Sequence, residues 1–447
     1  MQKAHNLKEI IRYFDSQTPL TPEDAEQWQA FYTETERNEI DHIITALVSS
    51  PIGHKILFGG HPGNGKSTEL NKLVFDERIK QQFAVIKFDA KELLDVNDID
   101  ITELLLVLSL KILGFADVCN IKPDNYFKKK FDDLEGFFRK KLKVEEVRSR
   151  LRQSSLGAEA KISLGAKIPL VKMGSNFFAK IRGQHEFRKL VRKTYRPRLT
   201  ELVDFVDDLL IDIKEKNSSQ EDILLIADGL DRAPIEQARK LYAEDGHHLS
   251  KIRNASLLLT VPISLIHSTS AVVIQGELGQ ITTLKNVRIK TRTRQVDEKT
   301  EKNINILEEA VRKRIEDQSL ITSEALTMAV QYSGGVFRTL IDLIYQAAIK
   351  SAVFDGKQIS LKDMQDAVNE ARINQKRPLT RSHWEMLLEI DDHKKFLTDG
   401  DEKRLELLRG LYALEYINGE EWFEVSPLLQ DAVEEYRKEF KSTSKKD

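Results

Sequence analysis

One cysteine, Cys119, stands among 447 residues. A lone thiol excludes an internal disulfide framework and fits a reducing cytoplasm. No apolar run reaches the roughly 18 residues that a membrane helix needs. The opening Met-Gln-Lys-Ala-His-Asn leads into no apolar segment, so a secretory leader is not expected. An excess of charge of one sign is missing too. The chain carries 69 Lys and Arg against 71 Asp and Glu, a formal net charge of −2. The whole molecule therefore has no bulk attraction for nucleic acid. No nuclease, protease or other effector signature occurs. What is present, 40% hydrophobic and 31% charged residues, is ordinary for a soluble globular chain of two or three domains.

The strongest pattern lies at residues 54–70. Ile56, Leu57 and Phe58 form a short apolar run that reads as a buried strand. Gly60, His61, Pro62, Gly63, Asn64, Gly65, Lys66 and Ser67 then match G-x-x-x-x-G-K-[ST] at every required position, and Thr68 follows. Residues 67–73 continue as a helix with Leu70 and Leu73 on one face. Strand, glycine-rich loop and helix form the context that phosphate binding requires. The glycines let successive N–H groups converge on phosphate oxygens, and the helix N-terminus adds partial positive charge. Lys66 can reach the β- and γ-phosphates, and the Ser67 hydroxyl can ligate Mg²⁺.

Ahead of this loop, residues 7–18 read as a short helix broken by Pro19 and Pro22, with a second helix starting near Thr21. An amphipathic helix runs from about Thr35 to Val48. Phe31 and Tyr32 precede it, either stacking on a base or filling the core. After the loop, residues 83–89 form a second strand and residues 99–115 a helix rich in Leu and Ile. This alternation predicts an α/β fold: a parallel sheet sandwiched by helices.

The next strand arrives only at residue 222, so the stretch between, about residues 120–215, is an insertion. It begins as a basic helical segment over 127–152 and continues with short alternating runs over 157–174 that suggest a β-ribbon. A long helix follows, broken near Pro197, with Leu199, Leu202, Val206, Leu209 and Ile213 on one stripe. Residues 128–200 hold 21 Lys or Arg and 7 Asp or Glu, an excess of 14 positive charges, which leaves the remainder near −16. A basic module on an acidic body suggests a dock for nucleic acid or an acidic partner, or else solvated helix faces with no partner.

Residues 222–228 are an apolar strand ending in Asp228, a Walker B pattern whose carboxylate can hold Mg²⁺. Asp231 is placed to polarise an attacking water or to cap a helix. A further strand at 255–263 carries Thr260 near its end, and residues 284–290 read as the last strand. From Asp297 the pattern turns helical: 304–316, 323–332, a third helix after Ser333-Gly334-Gly335, and a fourth capped by Ser360. Residues 403–416 read as a helix, and Asn418-Gly419 then sits between two β-like runs, a hairpin signal. These boundaries divide the chain into an N-terminal helical linker at 1–50, an ATPase core at 51–295, a helical lid at 296–375 and a winged-helix-like domain with its tail at 376–447.

Taken in order, Gly60 to Ser67, Asp228 to Arg232, Thr260 and Ser333-Gly-Gly-Val-Phe-Arg338 resemble the motif series of AAA+ ATPases. Arg37-Asn-Glu-Ile40 resembles the box that precedes the loop in initiator-like members. The lid followed by a winged helix is similar to the initiator clade and to STAND signalling ATPases. The segments 257–262 and 415–427 resemble a bacterial STAND-like group that accompanies anti-phage defence genes. The resemblance spans about residues 30–435. It implies ATP and Mg²⁺ as cofactors, Lys66 and Ser67 on phosphate and metal, and Asp228 completing the metal site. It further implies Asp231 on water, Thr260 as first sensor and Arg338 reaching the γ-phosphate from the lid. Gly229 stands where such enzymes carry a second acid, which favours a slow switch. Arg232 and Arg253 are candidate trans fingers. The expected function is an ATP-driven switch that forms homo-oligomers and controls a separate effector. The alternatives are a DNA-acting helper ATPase using residues 128–200, and a scaffold that holds ATP without turnover. No membrane contact is expected.

Overall fold

A computed structural model describes residues 2–21, 25–125, 127, 170–217, 221–397 and 401–443. Its centre is five parallel strands: β1 (Lys55–Gly59), β2 (Phe83–Asp89), β3 (Asp222–Asp228), β4 (Ser256–Thr260) and β5 (Ile281–Thr283). They lie in the order β2-β3-β4-β1-β5. β1, β3 and β4 are buried almost end to end, as their unbroken apolar runs require once helices cover both faces. The register sets Asp89 opposite Asp228 and Phe58 opposite Thr260, so the chemistry-bearing strand ends gather along one edge.

The longer helices are α1 (Leu7–Tyr13), α2 (Ala25–Phe31), α3 (Glu39–Ser49), α4 (Lys66–Phe75), α5 (Ile101–Val118), α6 (Leu170–Gly183), α7 (His185–Tyr195) and α8 (Leu199–Lys216). One sheet face packs on α3 and α4 through Ile40, Ile43, Leu70 and Leu73. The other packs on α5 and α8. The stripe Leu199, Leu202, Val206, Leu209 and Ile213 is buried there, as its spacing predicts. Among the described residues no helix is long and apolar enough to cross a membrane.

Four helices form a lid with its own core: α9 (Glu298–Arg312), α10 (Ser323–Ser333), α11 (Phe337–Val353) and α12 (Leu361–Lys376). Ser360 caps α12 in a reciprocal box with Asp363. A winged-helix-like module follows: α13 (Arg381–His393), α14 (Asp401–Arg409), the antiparallel hairpin of β6 (Ala413–Asn418) and β7 (Glu420–Val425), and α15 (Gln430–Thr443).

The structure departs from the expectations at several places. Residues 284–290 are not a strand; the edge strand is β5, just before them. The carbonyls of Leu284 and Lys285 are taken by the Asn64 side chain, at 2.9 Å each, rather than by a ladder. The helix expected over 403–416 stops at Arg409. Leu411 adopts a left-handed φ of 58°, and 413–418 turns into β6, where Tyr416 stacks on Trp422 at 4.7 Å. Residues 170–174, placed in a ribbon by their alternation, begin α6. The rest of that ribbon, and the basic helix beyond residue 127, lie outside the described residues. The first 50 residues are not a linker. Ala4, Leu7, Ile10 and Phe14 fill the lid core, and α3 covers the sheet.

Candidate functional site

The loop after β1 turns into α4 at the edge where β3 and β4 also end. Its residues divide between two jobs. Pro62, Gly63, Gly65, Lys66, Ser67 and Thr68 line a cavity of about 300 Å³ together with residues 15–20, Asp231, Arg232, Arg314, Phe337, Arg338, Ile341 and Arg409. Gly60, His61 and Asn64 do not. Both of those side chains are buried and turn away from the cavity. His61 Nε2 accepts from the Glu415 N–H at 2.8 Å, and its Nδ1 faces the Leu408 carbonyl at 3.2 Å. That pair of partners sets a neutral ring with the proton on Nδ1. Burial accordingly pushes the His61 imidazole down to about 4. The loop is thereby fastened to the winged-helix-like module on one side. Asn64 fastens it to residues 284–285 on another.

Arg37, marked in the sequence as part of a preceding box, performs a related task. Its guanidinium donates to the Asn64 carbonyl at 2.8 Å and pairs with Glu69 at 3.1 Å. The cradle is thus held from outside before any ligand arrives.

Lys66 is buried. Its ammonium lies 2.8 Å from Asp231 and donates to the carbonyls of Gly60 and His61 at 3.0 and 2.9 Å. Asp228 is buried near Ser67 and lies 3.8 Å from Lys87. Burial pushes the Asp228 carboxyl up, and Lys87, with a slight downward pull from Ser67, only partly counters it. A hard cation set between the Ser67 hydroxyl and this carboxylate would find oxygen donors of the right kind, so the donor set fits Mg²⁺. Gly229 follows with φ +78°, and a Cβ there would stand 2.3 Å from Asp89 Oδ1. A glutamate at that position would be strained and crowded, which accounts for the missing second acid.

Thr260 is fully buried, and its hydroxyl does not reach the cavity. It accepts the N–H of Leu230 at 3.0 Å and of Asp231 at 3.3 Å. It therefore holds the turn that aims Asp231. Arg338 comes from the first turn of α11. Its N–H donates to the Gly63 carbonyl at 3.1 Å, and a Cβ on Gly63, where φ is +77°, would lie 2.3 Å from the Arg338 Cβ. The glycine at that position lets the lid touch the loop. The Arg338 side chain enters the cavity, where burial pushes its pKa down. Arg232 also lines the cavity, and its carbonyl accepts from Arg409 at 3.1 Å. Arg253 sits beside Gly53 at the opposite, N-terminal edge of the sheet.

Phe31 and Tyr32 are core aromatics and line a small neighbouring cavity of about 60 Å³. Tyr32 stacks on Trp28 at 4.4 Å, and its hydroxyl donates to Glu69 at 3.2 Å. The cavity has room for about two waters.

Sequence reasoning missed residues 15–20. They cross over the loop: the Leu20 N–H donates to Thr68 Oγ1 at 3.3 Å, Asn71 donates to the Leu20 carbonyl at 2.6 Å, and Arg338 donates to the Ser16 carbonyl at 3.4 Å. Pro19 is the one local signal there, and it reads equally as a helix breaker.

No family model matches the chain, and neither does any curated protein. Solved structures are similar to it along most of its length. Cdc6p from Pyrobaculum aerophilum aligns at 12% identity over 98% of this chain and 99% of its own, with a TM-score of 0.37. A Walker-type ATPase of Pyrococcus abyssi aligns at 15% identity over 94% and 99%, with a TM-score of 0.44. Drosophila ORC bound to DNA aligns at 10% identity over 94% and 88%, with a TM-score of 0.39. At such scores these likenesses carry no functional inference, which must come from the chain's own residues.

Proposed function

We propose that this chain is a P-loop ATPase of initiator-like AAA+ build, binding ATP with Mg²⁺ in the cavity above Lys66 and hydrolysing it slowly. The observation that supports this is one convergence. Lys66, Ser67 backed by Asp228, Asp231 and four arginines meet at the C-terminal edge of a parallel sheet. A polyanion is the ligand such a set accommodates.

Ser67 and Asp228 would hold the Mg²⁺, which when bound neutralises phosphate charge. Phosphate oxygens that draw Lys66 away from Asp231 free that carboxylate to accept a proton from the attacking water. Thr260 keeps the Asp231 turn in place. Arg338 meets the terminal phosphate from the lid, and only contacts that differ between triphosphate and diphosphate can shift the lid. Gly229 in place of a second acid supports slow turnover.

Two finer readings follow. Sheet, lid and winged-helix-like module in one chain suit an initiator-type, DNA-acting helper ATPase. Against direct DNA contact by the wing, its tip exposes Glu420 and Glu421. The switch reading, with a separate effector and a place in anti-phage defence, rests on the resemblance of residues 257–262 and 415–427. Light scattering with ATP, ADP or no nucleotide, on wild type and Lys66→Ala, with and without duplex DNA, separates them. Homo-oligomerisation that needs both ATP and Lys66 supports the switch. A size change driven by DNA alone at low salt supports the helper. Absence of any nucleotide binding overturns the ATPase reading itself.

A further inference from the structure

Arg314 lies just past α9, and its backbone is fixed. Its carbonyl accepts the Ala4 N–H at 2.9 Å, and its own N–H donates to the Val311 carbonyl at 2.9 Å. Its side chain has no such anchoring. The Nε is buried without a hydrogen-bond partner, and among the described residues no carboxylate pairs with the guanidinium. Burial alone pushes its pKa down to about 10. A cation left in this state is unfavourable unless an anion is delivered to it.

Its position indicates which anion. The larger cavity over the loop and the smaller aromatic cavity share five lining residues: Leu20, Gly65, Thr68, Arg314 and Phe337. Among the described residues, Arg314 supplies the only cation in that shared wall. Lys66, Arg232, Arg338 and Arg409 border the larger cavity alone, and Arg37 the smaller alone. The smaller cavity is too small for a base, but Gly65 and Thr68 in the shared wall flank Lys66 and Ser67, so a nucleotide with its terminal phosphates at Lys66 brings its α-phosphate–ribose portion next to Arg314.

Resting on the ATPase reading above, we propose that Arg314 is a second lid cation for the bound nucleotide, contacting the α-phosphate–ribose portion that diphosphate and triphosphate share. Arg338 then reports the γ-phosphate, and Arg314 reports only that a nucleotide is present. Because Ala4 is bonded to Arg314 and Leu20 to Thr68, the same contact holds residues 4–20 down over the site in both nucleotide states.

The test is calorimetric titration of the full chain with ADP–Mg²⁺ and with a non-hydrolysable ATP analogue–Mg²⁺, on wild type, Arg314→Ala, Arg314→Met and Arg338→Ala. Both Arg314 variants are expected to weaken the two ligands by the same factor, tenfold or more. Arg338→Ala is expected to weaken the triphosphate analogue more than ADP. The nucleotide-free melting temperature of the Arg314 variants is expected to stay level or rise, because an unpaired buried charge has been removed. Loss of triphosphate affinity alone, or no change for either ligand, overturns the proposal. A fall of several degrees in the nucleotide-free melting temperature of both variants also overturns it, because Arg314 would then be structural. If wild type binds both ligands through Lys66 while the Arg314 variants match it, this proposal fails and the ATPase reading stands. If wild type binds neither, both fail.

Discussion

Two groups of arginines differ in what they face. On the insertion helices, Arg188 pairs with Asp95 and Asp98 at 3.0 and 3.2 Å. Arg192 pairs with Asp98 and Glu103 at 2.8 Å each, and Arg196 meets Asp100 and Asp245. Each of these three arginines has carboxylate partners from the body of the domain. Over the phosphate loop, Arg232, Arg314, Arg338 and Arg409 line one cavity with two acids, Asp15 and Asp231, and Asp231 already serves Lys66. The first set is satisfied by the fold and holds α7 on α5. The second set awaits an anion. Density of basic residues along a sequence therefore says little about ligand binding; the balance of charge around each buried cation says more.

The largest separation between the sets comes from Lys66→Ala. With ATP–Mg²⁺ at a hundredfold over its dissociation constant, a binding-competent chain gains about 2.7 kcal/mol. The wild type is expected to show that gain as a raised melting temperature in thermal-shift assays, and the variant none. A variant that keeps the shift would place the nucleotide somewhere other than this cavity.

Arg192→Ala should do the reverse: destabilise without touching nucleotide affinity. Glu103 is fully buried, and burial pushes its carboxyl up to about 7 even with Arg192 beside it. A carboxyl whose folded value lies above its unfolded one contributes stability at low pH and loses it as pH rises toward 7. Removing Arg192 deletes a pull toward lower values, so keeping the charge becomes costlier. Breaking such a pair costs about 3 kcal/mol. The deficit in urea unfolding should be larger at pH 8 than at pH 5.5. Equal deficits would show that the pair contributes packing alone.

Thr260→Val tests the hydroxyl that braces the Asp231 turn. Two N–H groups lose their acceptor, and a barrier increase of about 1.4 kcal/mol would slow turnover about tenfold. Nucleotide affinity should stay within measurement error, because the hydroxyl does not line the cavity. A loss of affinity instead would mean that Thr260 meets the ligand after a rearrangement.

Which parts of this were legible in sequence follows from the range of the interactions. β2 and β3 begin and end where the apolar runs do, because an aspartate stops each run. Lys66, Ser67 and Asp228 carry local signatures, and β3 lies only one strand, β4, away from β1. Residues 15–20 carry only Pro19, which reads equally as a helix breaker. Their hydrogen bonds go to Thr68, Asn71 and Arg338, which no local pattern announces. His61 is expected among the phosphate-binding loop residues, yet its ring is committed to β6 and α14, more than 340 residues onward. Arg314 has no spacing signature; only its lack of a partner marks it. Residues 284–290 form no strand, and the carbonyls of Leu284 and Lys285 go to the Asn64 side chain instead of a ladder.

The smallest effect is expected from Lys189→Glu with Lys193→Glu. Both lysines are exposed on α7, and Lys189 has only Glu186 nearby at 3.4 Å. They are the charges of α7 that can be reversed without breaking a bridge to the domain body, as reversal at Arg192 or Arg196 would. If this helix lay on duplex DNA, two lost phosphate contacts would lower the slope of log affinity against log salt by about 1.8. With the neighbouring arginines spent on carboxylates, the expected change in DNA affinity is less than about twofold, the size of a bystander's contribution to a field screened over about 8 Å at physiological salt. A slope reduced by the full amount would show that α7 presents a phosphate-binding face in spite of its internal pairs, and the helper-ATPase reading would gain its DNA surface there.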